Sequence, residues 1–289
     1  MRSIVDEWVE KAPLEEKVFR RVIRIIIKAI SLDKELSETM VLKGGILVGI
    51  RYSGDRHTTD IDFSCPSQMK LDTQVTLREK LNSLLKQAQI ELSENIVCAV
   101  QKLDKQPPRD DATFPSISMS IGYADSQKPA EIKRLERGQS PKTVCIDYSF
   151  NEFTGETEEI SINPEYQESI KIYSLCSLIS EKYRSLLQQP VRNRERRQDV
   201  YDIYHFLLLE KETYCKKDKI LELLIKKSKD KGIDEYLHKD ALDDNLIKEK
   251  SLHGFDNLKI ETAKNLPDKE TAYKTVNDFF KSLPWENLL

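Results

Sequence analysis

The sequence predicts an α+β protein of two lobes, an amino-terminal lobe with a mixed sheet and an all-helical carboxy-terminal lobe. Alternating polar and apolar residues, which are typical of strands, recur only before about residue 165. After about residue 166, apolar residues at helical spacing dominate. The polar stretch 151–159 and the pair Asn163-Pro164 mark the change, so we place one domain at 1–165 and a second at 166–289.

Each element follows from its local pattern. Apolar residues at helical spacing after Pro13 predict a helix over 14–31, and the alternation over 59–64, which stops at Pro66, predicts a strand. Further elements are predicted in the first domain: helices at 46–52 and 71–90, and strands at 96–103, 114–123 and 143–150. The second domain has predicted helices at 174–189, 196–210, 216–228, 239–249 and 268–282. A cleft is expected between the domains, because ligands commonly bind at such interfaces.

Composition limits the class of protein. The 289 residues include 46 Lys and Arg against 49 Asp and Glu, which excludes a polycation but leaves a local basic patch open. No apolar run approaches the ~20 residues that a bilayer span needs, so we expect no membrane partner. The five cysteines are an odd number, lie far apart and never form CxxC, which argues against a disulfide framework or a zinc ribbon. We therefore expect a reduced, cytoplasmic protein.

Two carboxylates stand out on the strand at 59–64. Asp60 and Asp62 are two residues apart, so both point to one face of the sheet, while Ile61 and Phe63 point to the other. Paired carboxylates repel each other unless a cation lies between them, and oxygen ligands suit Mg²⁺ or Mn²⁺. The alternative is an ordinary pair of solvent-facing strand residues.

A glycine pair makes the metal interpretation stronger. Gly44-Gly45 precedes a short predicted helix, where free N–H groups and missing side chains can cradle phosphate. Asp147, on the polar face of a later strand, is a candidate third carboxylate. Glycines, an Asp-x-Asp strand and a further aspartate together suit metal-assisted nucleotidyl transfer from an NTP.

A lysine lies in the apolar stripe of the 174–189 helix. On a helical wheel, Lys182 falls between Leu178 and Ile179, so it needs an anionic partner. Asp199 and Asp202 on the next helix are candidates. Two interpretations stay open: a buried pair that only fixes the packing of two helices, or a lysine that reaches nucleotide phosphates with an aspartate orienting it.

The segment between these helices is basic. Residues 190–197 hold four arginines and one glutamate, a composition that suits phosphate or an RNA backbone. The alternative is a solvated loop between helices.

Four blocks occur in a fixed order: 42–47 (LKGGIL), 56–63 (RHTTDIDF), 178–182 (LISEK) and 197–204 (RQDVYDIY). Together they resemble the AbiEii/AbiGii nucleotidyltransferase toxin family, within the polymerase-beta-type nucleotidyltransferase superfamily. The resemblance covers roughly residues 14–210. It implies a bilobed enzyme with a nucleotidyltransferase core domain and a helical domain that completes the NTP and acceptor cleft.

The resemblance also implies roles for matched residues. Gly44 and Gly45 match the glycine motif, and Asp60 and Asp62 match the metal ligands. The family often has Thr or Ser after the glycines, whereas Ile46 here has no hydroxyl. Phosphate would therefore be bound there by backbone alone.

Further matches involve polar residues before the strand and the helical domain. Arg56 and Thr58 match polar positions near the nucleotide, and Lys182 matches the family lysine. Asp199, as a catalytic residue, and Asp202, as a nucleotide-binding residue, match the acidic motif that follows. Asp147 matches no strong block, so its role as a metal ligand rests on its strand position alone.

The expected activity is transfer of NMP from an NTP to RNA, with the 3′ end of tRNA as the expected acceptor and pyrophosphate released. The resemblance implies a toxin of a toxin–antitoxin or phage-defence system, with a cognate antitoxin as a partner. Two alternatives remain open, namely an enzyme that NMPylates protein and a catalytically silent module that binds nucleotides or a partner.

Overall fold

The computed structural model describes residues 2–54, 56–70, 73–109, 111–209, 216–229, 231–262 and 266–288. The strands in these residues are β1 (Val41–Lys43), β2 (Asp60–Ser64), β3 (Ile96–Gln106), β4 (Ser116–Asp125), β5 (Thr143–Ser149), β6 (Thr157–Asn163) and β7 (Glu168–Tyr173). The first six helices are α1 (Ile4–Glu10), α2 (Lys17–Ser31), α3 (Lys34–Thr39), α4 (Gly44–Tyr52), α5 (Thr73–Glu91) and α6 (Pro129–Glu136). The remaining helices are α7 (Leu175–Leu187), α8 (Gln189–Arg192), α9 (Arg197–Leu208), α10 (Lys217–Ser228), α11 (Asn245–Leu252) and α12 (Lys269–Lys281).

The chain divides into two compact units. The sheet unit comprises Met1–Arg51 and Thr59–Ile172, and the helical unit comprises Tyr52–Thr58 and Tyr173–Leu289. This division falls seven residues after the predicted boundary at 165, because β7 pairs with β1 and so belongs to the sheet. The segment Tyr52–Thr58, which links α4 to β2 along the chain, belongs to the helical unit.

The sheet unit contains one mixed seven-stranded sheet in the order β3-β4-β5-β2-β1-β7-β6. β2 lies near its centre, parallel to β5 and antiparallel to β1. One face is apolar and carries Ile61, Phe63 and Ile146, all almost fully buried. α2 and α5 pack together behind the strands, and α2 contributes a run of buried isoleucines. The opposite face of β2 and β5 is therefore left for polar side chains.

The helical unit is organised around α7, which packs against α9 and α10, while α12 packs against α9. Tyr183 of α7 is fully buried, and its ring centroid lies 5.1 Å from that of Phe280. The Tyr183 hydroxyl donates a 2.9 Å hydrogen bond to the Val276 carbonyl. This aromatic core holds α7 and α12 together.

The α+β fold class with a mixed sheet is confirmed, and the predicted strand at 59–64 corresponds to β2. The prediction that the chain is almost entirely helical after residue 166 is wrong over 168–173, where Ile170 and Ile172 form β7. β6 and α6 were also not predicted. Leu71-Asp72, Glu210 and Cys215, which the sequence predictions include, lie outside the described residues.

Cys65, Cys98 and Cys145 carry free thiols, whereas Cys176 takes part in a disulfide bond. The expectation of a fully reduced chain was therefore wrong for Cys176, because spacing along a sequence does not show which sulfur atoms meet in the fold. Among the described helices, none combines the length and apolar character that crossing a membrane requires.

Candidate active site

The two strand carboxylates lie on the polar face of β2. Asp60 is exposed and Asp62 is half-buried, whereas the alternating Ile61 and Phe63 are fully buried. This alternation fixes the direction of the carboxylates, because a slip of one residue would expose Ile61 and Phe63. The apolar side of the strand therefore holds the functional side in place.

Asp147 of β5 joins them in register. It is the direct neighbour of Asp62 across the parallel pair, and Lys43 of β1 is the neighbour of Asp62 on the other side. Partial burial and the negative charge of Asp60 raise the pKa of Asp147, while the positive charge of Lys43 lowers it. The negative charge of Asp60 therefore disfavours ionisation of the Asp147 carboxyl.

Gly44 lies against Asp62. Its φ is +72°, and a Cβ at this position would lie 2.1 Å from Asp62 Oδ2. Only glycine fits there without moving the carboxylate, for reasons of both backbone conformation and space. Gly44 and Gly45 begin α4, whose first N–H groups have no partner within the helix. The turn thus places helix N–H groups beside the carboxylates.

Glu152 is a residue that the sequence analysis missed. Its Oε2 accepts 2.7 Å hydrogen bonds from Lys43 Nζ and from the buried Ser64 hydroxyl. Glu152 therefore holds the ammonium group of Lys43, the residue of β1 that is in register with Asp62. It lies in the polar stretch after β5, where no local pattern distinguishes it from its neighbours.

The donor atoms fit a hard divalent cation. Asp60, Asp62 and Asp147 supply carboxylate oxygens, and the repulsion between Asp60 and Asp147 is what a cation would relieve. Within the described ranges, however, no three His, Cys, Asp or Glu side chains are gathered in the arrangement of a metal site. A metal held by all three carboxylates stays a prediction.

A second group of predicted residues meets in the helical unit. Lys182 Nζ donates to Asp199 Oδ1 at 2.9 Å and to Asp202 Oδ2 at 2.6 Å. Burial would lower the pKa of Lys182, but the charges of Asp199 and Asp202 hold it above its ordinary value. Lys182 is therefore a charged lysine whose ammonium group bridges two carboxylates of the next helix.

Arg56 completes this group. Its guanidinium lies 3.3 Å from Asp202 and 3.6 Å from Glu261, a second residue that the sequence analysis missed. Burial would raise the pKa of Asp202, but Lys182 and Arg56 hold it below its ordinary value. We name Arg56, Lys182, Asp199 and Asp202 the buried ion cluster, in which two positive charges face two negative charges.

One oxygen of the buried ion cluster is left over. Asp199 Oδ2 is buried and has no hydrogen-bond partner in the part of the chain that the structure describes. An unsatisfied buried carboxylate oxygen is costly, and such oxygens are expected to accept a hydrogen bond from a ligand or from water. Thr58, the last residue of the segment Tyr52–Thr58, is half-buried.

The basic segment 190–197 runs from within the short helix α8 to the first residue of α9. Arg192 and Arg194 are exposed, while Arg196 and Arg197 are half-buried. Glu195 lies 3.4 Å from Arg197 and 2.8 Å from His253, so the single acid of the segment is engaged locally. Arg192 and Arg194 carry positive charge at the surface.

The predicted residues thus form two groups. Those of the sheet unit are Gly44, Gly45, Asp60, Asp62 and Asp147, and those of the helical unit are the buried ion cluster and Thr58. That the two groups line one cleft stays a prediction.

A glycine turn at a helix start, beside an Asp-x-Asp strand in a mixed sheet, is the arrangement of a nucleotidyltransferase. The family described as "Nucleotidyl transferase AbiEii toxin, Type IV TA system" matches residues 26–281, and the chain belongs to it. Membership makes the chain a nucleotidyltransferase toxin of a type IV toxin–antitoxin system, and it implies an NTP substrate and an antitoxin partner. No curated protein sequence matches the chain significantly.

Two solved structures have a similar fold. A candidate nucleotidyltransferase from Helicobacter pylori aligns with a TM-score of 0.51 at 15% identity, covering 96% of this chain and 99% of that one. JHP933 from Helicobacter pylori aligns with a TM-score of 0.53 at 14% identity, covering 96% of each chain. At this identity the similarity concerns the fold alone.

Proposed function

We propose that the protein is a divalent-metal-dependent enzyme that transfers NMP from an NTP to RNA, with the 3′ end of tRNA as the acceptor. The observation that carries this proposal is the contact between Gly44 and Asp62. A glycine whose Cβ space is filled by a carboxylate brings phosphate-binding N–H groups next to metal-binding oxygens.

The reaction is a displacement at phosphorus. The acceptor hydroxyl oxygen bonds to the α-phosphorus, and the bond to the oxygen that bridges to the β-phosphate breaks. Pyrophosphate leaves, and a carboxylate of the site takes the hydroxyl proton. Catalysis of this kind consists mostly of positioning and charge neutralisation.

The residues of the sheet unit position the phosphates. The N–H groups at the start of α4 bind phosphate oxygens by backbone alone, because Ile46 supplies no hydroxyl. Asp60 and Asp62, with Asp147 as the third carboxylate, hold Mg²⁺ or Mn²⁺. When bound, the cation supplies the positive charge that offsets the charge of the reacting phosphates.

The buried ion cluster serves the nucleotide from the helical unit. Asp199 and Asp202 orient Lys182 and keep it charged, which a lysine that contacts phosphate requires. Asp199 Oδ2 is available to accept a hydrogen bond from the substrate. The alternative, a cluster that only fixes the packing of α7 and α9, predicts a loss of stability without a specific loss of nucleotide binding.

The exposed arginines of 190–197 favour RNA as the acceptor, because guanidinium groups contact phosphate backbones well. A role in phage defence would follow from toxicity in infected cells.

Labelled NTP incubated with total tRNA and with cell lysate tests the acceptor. Label in an RNase-sensitive band is the expected result, and loss of that label in Asp60→Ala and Asp62→Ala assigns it to this site. Label only in a protease-sensitive band would favour protein NMPylation. NTP binding with no pyrophosphate release would favour a silent binding module.

A further inference from the structure

The segment Tyr52–Thr58, here called the linking segment, connects the glycine turn to the metal-binding strand along the chain. Gly44 and Gly45 begin α4 before it, and Asp60 begins β2 after it. Yet the linking segment is part of the helical unit. Its anchors within that unit therefore restrain the chain just before the first carboxylate.

Its first anchor is α9. The ring centroid of Tyr52 lies 5.5 Å from that of Phe206, and the Tyr52 carbonyl lies 3.2 Å from His205 Nε2. Farther along, Arg56 spans both carboxylate oxygens of Asp202 at 3.3 and 3.4 Å. These contacts tie Arg56, in the middle of the linking segment, to α9.

The second anchor is Glu261. The His57 N–H donates a 2.6 Å hydrogen bond to the Glu261 carbonyl, and Arg56 pairs with Thr262 in an isolated antiparallel bridge. The Glu261 carboxylate lies 3.6 Å from Arg56 Nη1. The backbone carbonyl of Glu261 thus holds His57, and its carboxylate contacts the neighbouring Arg56.

We propose that Glu261 is a positioning residue for nucleotidyl transfer. It contacts Nη1 of Arg56, whereas Asp202 contacts Nε and Nη2, and so it helps to fix the chain four residues before Asp60. The proposal rests on the function proposed above. Its physical basis is the narrow tolerance of catalytic geometry, since a displacement of about 1 Å can cost a factor of about 100 in rate.

Glu261→Ala tests this role, because it keeps the backbone carbonyl and removes only the carboxylate. We expect kcat for NMP transfer to fall about 5-fold, and by a larger factor than any rise in KM for the NTP, since Glu261 acts through the chain that leads to Asp60. Glu261→Gln, which keeps an oxygen for Arg56, should restore part of the rate. Glu270→Ala is the matched control, because it removes an exposed acid paired with Lys248 at 2.9 Å and should leave kcat unchanged.

Hydrogen exchange supplies a readout besides activity. Amides of residues 52–60 should exchange faster in Glu261→Ala than in the wild type or in Glu270→Ala. Arg56→Lys should lower kcat as well, and adding Glu261→Ala to it should cause little further loss, because both changes release the same contact.

Unchanged exchange and unchanged kcat in Glu261→Ala would overturn the proposal, as would a raised KM with normal kcat. If the wild type transfers no label at all, the proposed function fails instead. The exchange experiment then still decides whether Glu261 anchors the linking segment.

Discussion

At the scale of single residues, Gly44 has no room for a Cβ beside Asp62. Gly44→Ala should reduce NMP transfer at least about 100-fold, because the new Cβ would displace the Asp62 carboxylate. Gly138→Ala is a matched control, since Gly138 has a similar φ of +67° but nothing within 4 Å of its Cβ position. Both variants should lose about 1 kcal/mol of stability from backbone strain. Equal transfer by both variants would show that the Gly44 contact has no catalytic importance.

The charge of Asp147 makes a second prediction at this scale. Its raised pKa means that the ionised carboxyl destabilises the fold, and this cost appears as the pH rises above the ordinary value of 3.8. Asp147→Asn should therefore raise Tm by about 1–2 °C at pH 7 in EDTA, and should have no such effect below pH 3.8. If Asp147 is a metal ligand, the rise in Tm on adding Mg²⁺ should be smaller in this variant.

A control for this measurement lies on the same face of the sheet. Asp104 is in register with Ser118, which is in register with Asp147, and it pairs with Lys102 at 2.7 Å. Asp104→Asn should leave the response to Mg²⁺ unchanged. A full Mg²⁺ response in Asp147→Asn would remove Asp147 from the ligand set.

The residues of the candidate site differ in how far the sequence predicts them. Asp60 and Asp62 are visible because strand alternation fixes their common face. Glu152 and Glu261 act through partners 109 and 205 residues away in the chain, on Lys43 and Arg56, and no local pattern reports such contacts. Long-range ion pairs are set by the tertiary fold, so single-sequence patterns do not contain them.

At the scale of elements, the pairing of α7 with α9 depends on the buried ion cluster. Lys182→Met should destabilise the helical unit by about 3–5 kcal/mol, because it leaves two buried carboxylates without their shared cation. Urea unfolding in a Trp8→Phe background measures this, since Trp285 then reports on the helical unit alone.

Lys248→Met is the control, because Lys248 forms an exposed pair with Glu270 and the substitution should change stability by less than about 0.5 kcal/mol.

The contribution of the buried ion cluster to stability depends on pH with a defined sign. Asp202, with a pKa below 3.8, stabilises the fold above that pH and loses its contribution as the pH falls through its lowered pKa. Lys182, with a pKa above 10.5, contributes below pH 10.5 and loses its contribution at higher pH. A Lys182→Met variant as stable as Lys248→Met would contradict this account of the cluster.

Helices and strands, and some of their contacts, can be predicted where neighbouring residues carry the pattern that indicates them. The wheel that places Lys182 in an apolar stripe indicates acidic partners on the next helix, and Asp199 and Asp202 are those partners in the structure. β6 and β7 also alternate apolar and polar residues, with isoleucine at positions 160, 162, 170 and 172. Their place in the sheet, however, depends on the pairing of β7 with β1, which are more than 120 residues apart in the chain. Such pairing cannot be read from local spacing.

At the scale of the whole molecule, the near balance of 46 basic and 49 acidic residues conceals a separation of charge. The acids of Asp60, Asp62 and Asp147 gather on one sheet face, while exposed arginines gather around α8. Family membership defines the class of reaction as nucleotidyl transfer.

The protein is proposed to transfer the nucleotidyl group of an NTP, with its α-phosphorus, at the Asp60–Asp62 site. The most direct test compares NTP labelled at the α-phosphorus with NTP labelled at the γ-phosphorus, incubated with Mg²⁺ and total tRNA. The wild type should incorporate the α label into RNA and release the γ label as pyrophosphate, and Asp60→Asn and Asp62→Asn should do neither while remaining folded. Incorporation of the γ label, or undiminished α transfer by both variants, would contradict the account.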